Sequence, residues 1–180
     1  MGKTFTVDIL SPSSIEKLKK NLAKYKDGLI KKTELLVQEL SKIGLETIDV
    51  KLSESRLGHH VTVQTDSETI PHGTVLVIIA TGDTKFSENY EPFNTLLAIE
   101  FGAGIHFNHN ENPKASELGY GVGSFPEQTH AFQEEGWYFW DEEKQKYVHS
   151  FGVQATMPLY NATQEMKLRV KEVARKIFVE

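Results

Sequence analysis

Ile15, Leu18, Leu22, Tyr25, Leu29, Leu36, Leu40 and Ile43 recur three, four or seven residues apart. That spacing is the apolar stripe of one long amphipathic helix. Ser13 and Glu16 stand at capping-box spacing, and Gly44 is placed to end the helix,. A helix between those signals is about 45 Å long. Gly28 is its weak point, costing about 1 kcal/mol against alanine. In a chain of 180 residues so long a helix usually lies across a sheet or packs on a neighbour.

Beyond Gly44 the pattern changes to that of strands. Ile48, Val50 and Leu52 alternate with polar residues, and so do Val61, Val63 and Thr65,. Val75 to Ala80 is apolar throughout and reads as a central strand covered on both faces. The separators around Ser53–Arg56 and Asp66–Gly73 are polar, the second with Pro71 and Gly73 as turn residues,. Together they predict an antiparallel meander. Residues 3–9 are open between a short strand and an extended arm. Residues 91–101 fit strand or helix, and Pro92 with Gly102 favours a short helix.

From Gly102 to about Gln133 the chain has no sustained period, and a loop that long is functional or mobile as a rule. Trp137–Trp140 and Tyr147–Phe151 then flank a charged turn as an aromatic hairpin. Pro158 to Val179 closes the chain as a second helix, striped by Leu159, Met166, Val170, Val173 and Ile177,. The expected fold is α+β: a long N-terminal helix packed on an antiparallel sheet, a long functional loop, an aromatic β-hairpin and a C-terminal helix. It forms one domain over 1–180, with 102–135 as a loop insertion.

Composition narrows the chemistry. There are no cysteines, which removes disulfides, thiolate metal sites and thiol nucleophiles. The longest apolar run is six residues, far short of a membrane span, and no secretory signal is readable at the N-terminus. Net charge is −5, distributed as +3 over 1–52, −10 over 53–150 and +2 over the last thirty residues. An acidic middle argues against a broad nucleic-acid surface and reads most simply as a solvated acidic face.

Motifs for catalysis are weak. His106 and His109, with Glu111 near, have ligand spacing, but in an irregular loop that spacing fixes no common face. His59 and His60 open a strand, where neighbours point to opposite faces. Gly119–Ser124 and Phe101–Gly104 lack the strand, helix and following acid that a phosphate-binding loop requires. Gly2-Lys3-Thr4 lacks the upstream glycine of a Walker loop. Glu134, Glu135, Asp141, Glu142 and Glu143 surround the hairpin and would suit sugar chemistry, although carboxylates at a hairpin tip normally face water. No Gly-x-Ser-x-Gly elbow exists,. The aromatics Trp137, Tyr138 and Trp140 are more informative, because tryptophan and tyrosine are enriched in interface cores.

Ile99-Glu-Phe-Gly-Ala-Gly104, the aromatic hairpin, Gly152 and Ala155-Thr-Met-Pro-Leu-Tyr-Asn-Ala162 resemble, in that order, the tail-completion (head–tail joining, minor tail) proteins of long-tailed phages and prophages. Ala103 stands where the family has threonine, Met157-Pro158-Leu159 replaces the common Pro-Phe pairing, and the 102–135 loop is longer. The likeness implies a virion protein of the tail or neck, assembled in the host cytoplasm. It implies a homo-oligomeric ring, commonly hexameric, capping the tail-tube protein and meeting the head-completion or connector protein. DNA would pass through the lumen unbound, and no catalysis, cofactor, metal or membrane is implied. Carried onto this chain, the interface candidates are Glu100, Phe101, Gly102, Gly104, Trp137, Tyr138, Trp140, Pro158 and Tyr160. The alternative from another class is a small metal- or carbohydrate-binding enzyme using His106, His109 and the hairpin carboxylates. A third is an oligomeric binding module such as a toxin-system component.

Overall fold

A computed structural model describes residues 4–70, 73–86, 92–103, 112–115, 117–118, 137–141, 144–150 and 152–179; of 69, 86, 92, 137–141 and 150 it describes the backbone alone. The order is helix α1 (Pro12–Ser53), a 3₁₀ turn (Gly58–His60), strands β1 (Val61–Ile70), β2 (Gly73–Gly82), β3 (Thr84–Phe86) and β4 (Pro92–Asn94), helix α2 (Thr95–Phe101), strands β5 (Trp137–Asp141) and β6 (Lys146–Ser150), and helix α3 (Pro158–Val179). This is the expected α+β class, with a long first helix, small antiparallel sheets and a closing helix.

The first helix overruns both of its expected ends. Its cap is Ser11, whose side chain accepts from the Ser14 N–H, with Pro12 preset for the first turn,. The Ser14 hydroxyl in turn accepts from the Asp8 N–H at 3.0 Å. Residues 4–8 form no strand or helix, and the Phe5 ring packs edge-on against Tyr25. At the other end Gly44 does not stop the helix, and Ile48, Val50 and Leu52, read as a strand, are helical. Gly44 instead marks a crossing. A Cβ there would lie 2.9 Å from Met166 Sδ of α3 and 3.0 Å from Ile78 Cδ1 of β2. Missing side-chain bulk lets three elements meet. Burial of Ile48 and Leu52 then carries the helix on, overriding a short alternation that fits either period.

The two long helices run antiparallel. Gly44 faces Met166, and twelve residues back along α1 the Lys32 ammonium sits 5.9 Å from the Phe178 ring, twelve residues on along α3. Since α3 ends at Val179, residues 12–30 of α1 run on past it for about 28 Å.

The meander expected from three strands is three separate two-stranded pairs. β1 and β2 form a ribbon in register from Val61↔Gly82 to Ile70↔Gly73. Leu76, Ile78 and Ala80 face inward, while Val75, Val77 and Ile79 lie outward at 45%, 45% and 47% exposure. Covered on one face rather than two, β2 is not the central strand its apolar run implied. β3 pairs with β4, so Pro92 sits in a strand and not at a helix start. Asn94 begins α2, accepting from the Leu97 N–H and donating its amide to the Gly82 carbonyl. β5 and β6 pair as the sequence suggests, Trp137↔Ser150 through Asp141↔Lys146.

The core sits where the C-terminal turns of α1, all of α2 and the start of α3 converge: Ile48, Leu52, Leu57, Ala98, Ile99, Phe101, Ala103 and Ala162. It is small. Among the described residues no helix is long and apolar enough to cross a membrane.

Candidate functional site

Two of the sequence segments on which the phage-tail resemblance rests, 99–104 and 155–162, meet in space around Glu100. Ala98, Ile99 and Phe101 turn α2 into the core, and Glu100 goes in with them at 6% exposure. Helix α2 must then end abruptly. Gly102, with φ 72° and ψ 160°, occupies a region open essentially to glycine alone, and Ala103 bridges to Val153 through two backbone hydrogen bonds of 2.8 and 2.7 Å. The Ile99 carbonyl accepts from the N–H groups of Thr156 and Met157.

That pairing aims the first turn of α3 at the Glu100 carboxylate. Pro158 has no N–H to satisfy. Leu159 donates to Oε2 at 2.9 Å and Tyr160 to Oε1 at 3.0 Å, and Asn161 begins the helical ladder on the Met157 carbonyl. The Asn112 amide donates to Oε1 at 3.0 Å and to the Glu100 carbonyl at 3.3 Å. Glu100 is thus a cap lent to α3 by another helix, its charge set against the positive end of the α3 dipole. Burial pushes its pKa up, and the Leu159, Tyr160 and Asn112 hydrogen bonds pull the other way without cancelling the rise. With both oxygens taken, the group is engaged in holding the two segments together.

Thr156, on the same junction, has a buried hydroxyl oxygen without a partner among the described residues. An unpaired buried hydroxyl is a cost that an isosteric methyl removes. Thr156→Val is expected to raise stability by up to about 1 kcal/mol, read as a higher denaturant midpoint at unchanged slope.

Of the interface candidates, Glu100, Phe101, Gly102 and Pro158 are buried within the subunit, and Tyr160 is half-buried. They are placed to build the subunit itself. The structure gives Trp137, Tyr138 and Trp140 their strand positions and nothing of their side chains, and Gly104 lies outside the described residues. So do His106, His109, Glu111, Gly119–Ser124, Glu134, Glu135, Glu142 and Glu143, while of Asp141 only the backbone is described.

His59 and His60 stand differently from expectation. The 3₁₀ turn, not a strand, brings their rings to 3.9 Å, and His60 Nδ1 lies 3.2 Å from Asp83 Oδ2. Thr95 spends its hydroxyl on the His60 carbonyl, and the Asp83 N–H donates to that same oxygen. Among the described residues no three histidine, aspartate or glutamate side chains are grouped to hold a metal.

Two surfaces stand out beyond the junction. One is the outer face of the β1–β2 ribbon. The other is the projecting part of α1, where Ile15, Leu22 and Leu29 are exposed at 37%, 46% and 39%. The apolar run of β2 is visible in sequence, but that one of its faces stays open is not. Asn112 has no signal in sequence, lying in an aperiodic stretch. Compared with known proteins, the chain matches no family model, no curated protein and no solved structure.

Proposed function

We propose that this chain is a structural subunit of a long-tailed phage particle, a tail-completion protein. In this reading copies form a ring, hexameric by the family likeness, that caps the tail-tube protein and receives the head-completion or connector protein. DNA passes through the lumen without specific binding, and the acidic 53–150 segment contributes negative charge that keeps it from adhering.

The observation that carries the reading is the amount of apolar surface left open on two extended elements. Val75, Val77 and Ile79 form one row, and Ile15, Leu22 and Leu29 form another. A small subunit with a modest core gains little by exposing both rows unless they meet other chains. The residues of the resemblance support it from inside, since Glu100, Gly102 and Pro158 fix the junction between α2 and the start of α3.

The test is electron microscopy of a lysate from a lysogen with this gene disrupted, beside a complemented control. Filled heads with unjoined or overlong tails, rescued by complementation, are expected. Intact infectious particles would reject the reading, and zinc retained stoichiometrically by the purified chain but lost in His106→Ala would then favour a metal site.

A further inference from the structure

The projecting half of α1 carries a feature that the anchored half does not. Ile15, Leu18, Leu22, Tyr25 and Leu29 follow a strict three–four alternation, the narrow seam of a helix made to lie along one partner. Within the subunit the seam is met by Phe5 at Tyr25, and α3 has already ended at the level of Lys32. Its surroundings are basic, with seven lysines and two acids between residues 12 and 32.

A second α1 is a poor partner for this seam. The positions flanking it on one side are Lys19 and Lys26, and those on the other are Asn21 and Gly28. Two such helices would bring lysines together if antiparallel and set them against Asn21 and Gly28 if parallel, and in neither case is there a flanking acid to pair with them,. What the seam calls for is an apolar row bordered by carboxylates.

The ribbon presents one. Directly cross-strand from Val75, Val77 and Ile79 stand Glu68, Asp66 and Gln64, and residues opposite one another share a face. The outer face is therefore an apolar row on β2 edged by acids on β1. Val75 to Ile79 covers about 13 Å, close to the two seam turns from Leu22 to Leu29, about 10 Å. The ribbon's inner face already lies on its own α1, through Ile78 at Gly44, so the outer face points away from that helix and has to be met by a different copy.

We propose that the α1 seam of one copy, Ile15 to Leu29, lies on the outer face of the β1–β2 ribbon of the next, with Lys19 and Lys26 against Asp66 and Glu68. The contact is heterologous: each copy offers its helix in one direction and its ribbon in the other, so repetition makes a closed ring or a filament. It rests on the reading of the chain as an assembling subunit and names the surfaces that assemble.

The chain has no cysteine of its own, which makes pairwise cross-linking clean. Leu22→Cys and Val77→Cys are made as separate proteins, both at exposed positions, and their folding is checked by circular dichroism. Oxidised together at rising concentration, they should give a covalent mixed dimer, with little product from either protein alone. Self-cross-linking of Leu22→Cys in preference to the mixed dimer would mean paired α1 helices and would overturn the proposal. So would the absence of any product up to the solubility limit.

The charges are tested in the cysteine-free chain by analytical ultracentrifugation. Lys19→Glu with Lys26→Glu should weaken self-association at least tenfold. Adding Asp66→Lys and Glu68→Lys to the same chain should restore it, and failure of that restoration would remove the charge pairing. These measurements use purified protein and no phage. Defective particles without the mixed dimer would leave the tail-completion reading standing and reject this interface, and the mixed dimer with normal particles would do the reverse.

Discussion

Glu100→Ala is expected to lower the stability of the chain by about 3–4 kcal/mol, the scale of losing a buried, hydrogen-bonded charge together with its partners' satisfaction. Truncation leaves the Leu159 and Tyr160 N–H groups and the Asn112 amide facing a void at the start of α3. It loosens the place where Glu100 ties α2, the 112–115 turn and α3 together. Glu100→Gln should cost less, about 2 kcal/mol, because one oxygen still accepts while the new NH₂ confronts a donor. Chemical denaturation of both variants checks the order, and a Gln variant as stable as the parent would show that the charge and its second acceptor contribute nothing.

The same residue sets a pH dependence of definite sign. Burial raises the folded pKa of Glu100 above its ordinary value, so between those two values the folded chain holds more protons than the unfolded one. Stability then falls as pH rises through that window. The contribution is complete below the ordinary glutamate pKa and is lost above the raised one. The parent should therefore lose ground to Glu100→Gln as pH climbs through the window. A parent advantage that instead grows with pH would mean that the three hydrogen bonds outweigh burial.

Ile48→Ala is the second large effect, expected at about 3 kcal/mol for deleting a fully enclosed isoleucine side chain. Ile48 is 1% exposed, among Leu52, Leu57, Ala98 and Ile99 in the small core. Leu22→Ala, an equally large truncation on the same helix, should change the stability of the subunit by less than about 0.5 kcal/mol, since Leu22 lies 46% exposed past the end of α3. Measured by urea unfolding at low protein concentration, the pair separates the anchored part of α1 from the projecting part. Equal losses would mean that the projecting turns are buried after all.

The elements legible in sequence are those with a long, unambiguous period or a dedicated end signal. The stripe from Ile15 to Ile43, the aromatic pairing of Trp137–Asp141 with Lys146–Ser150, and Pro158 as the start of α3 are all local facts. Sequence and structure part where the local pattern is short. Ile48, Val50 and Leu52 alternate over too few residues to separate period 2 from one helical turn, and only the burial of Ile48 and Leu52 in the core, with Val50 left exposed, decides for helix. Gly44 carries the composition of a helix end, yet its role is to let Met166 and Ile78 approach.

What the sequence determined by itself is the α+β class, the presence of the long helix, and the uneven distribution of charge along the chain, because periodicity and charge need no partner to be read. What only the tertiary structure decided is the use of Glu100 and the open faces of α1 and β2. A carboxylate fifty-nine residues from the amide it caps has no local signature. Nor does an apolar row announce whether it will be covered, since that depends on which other element the chain brings back across it and where that element ends.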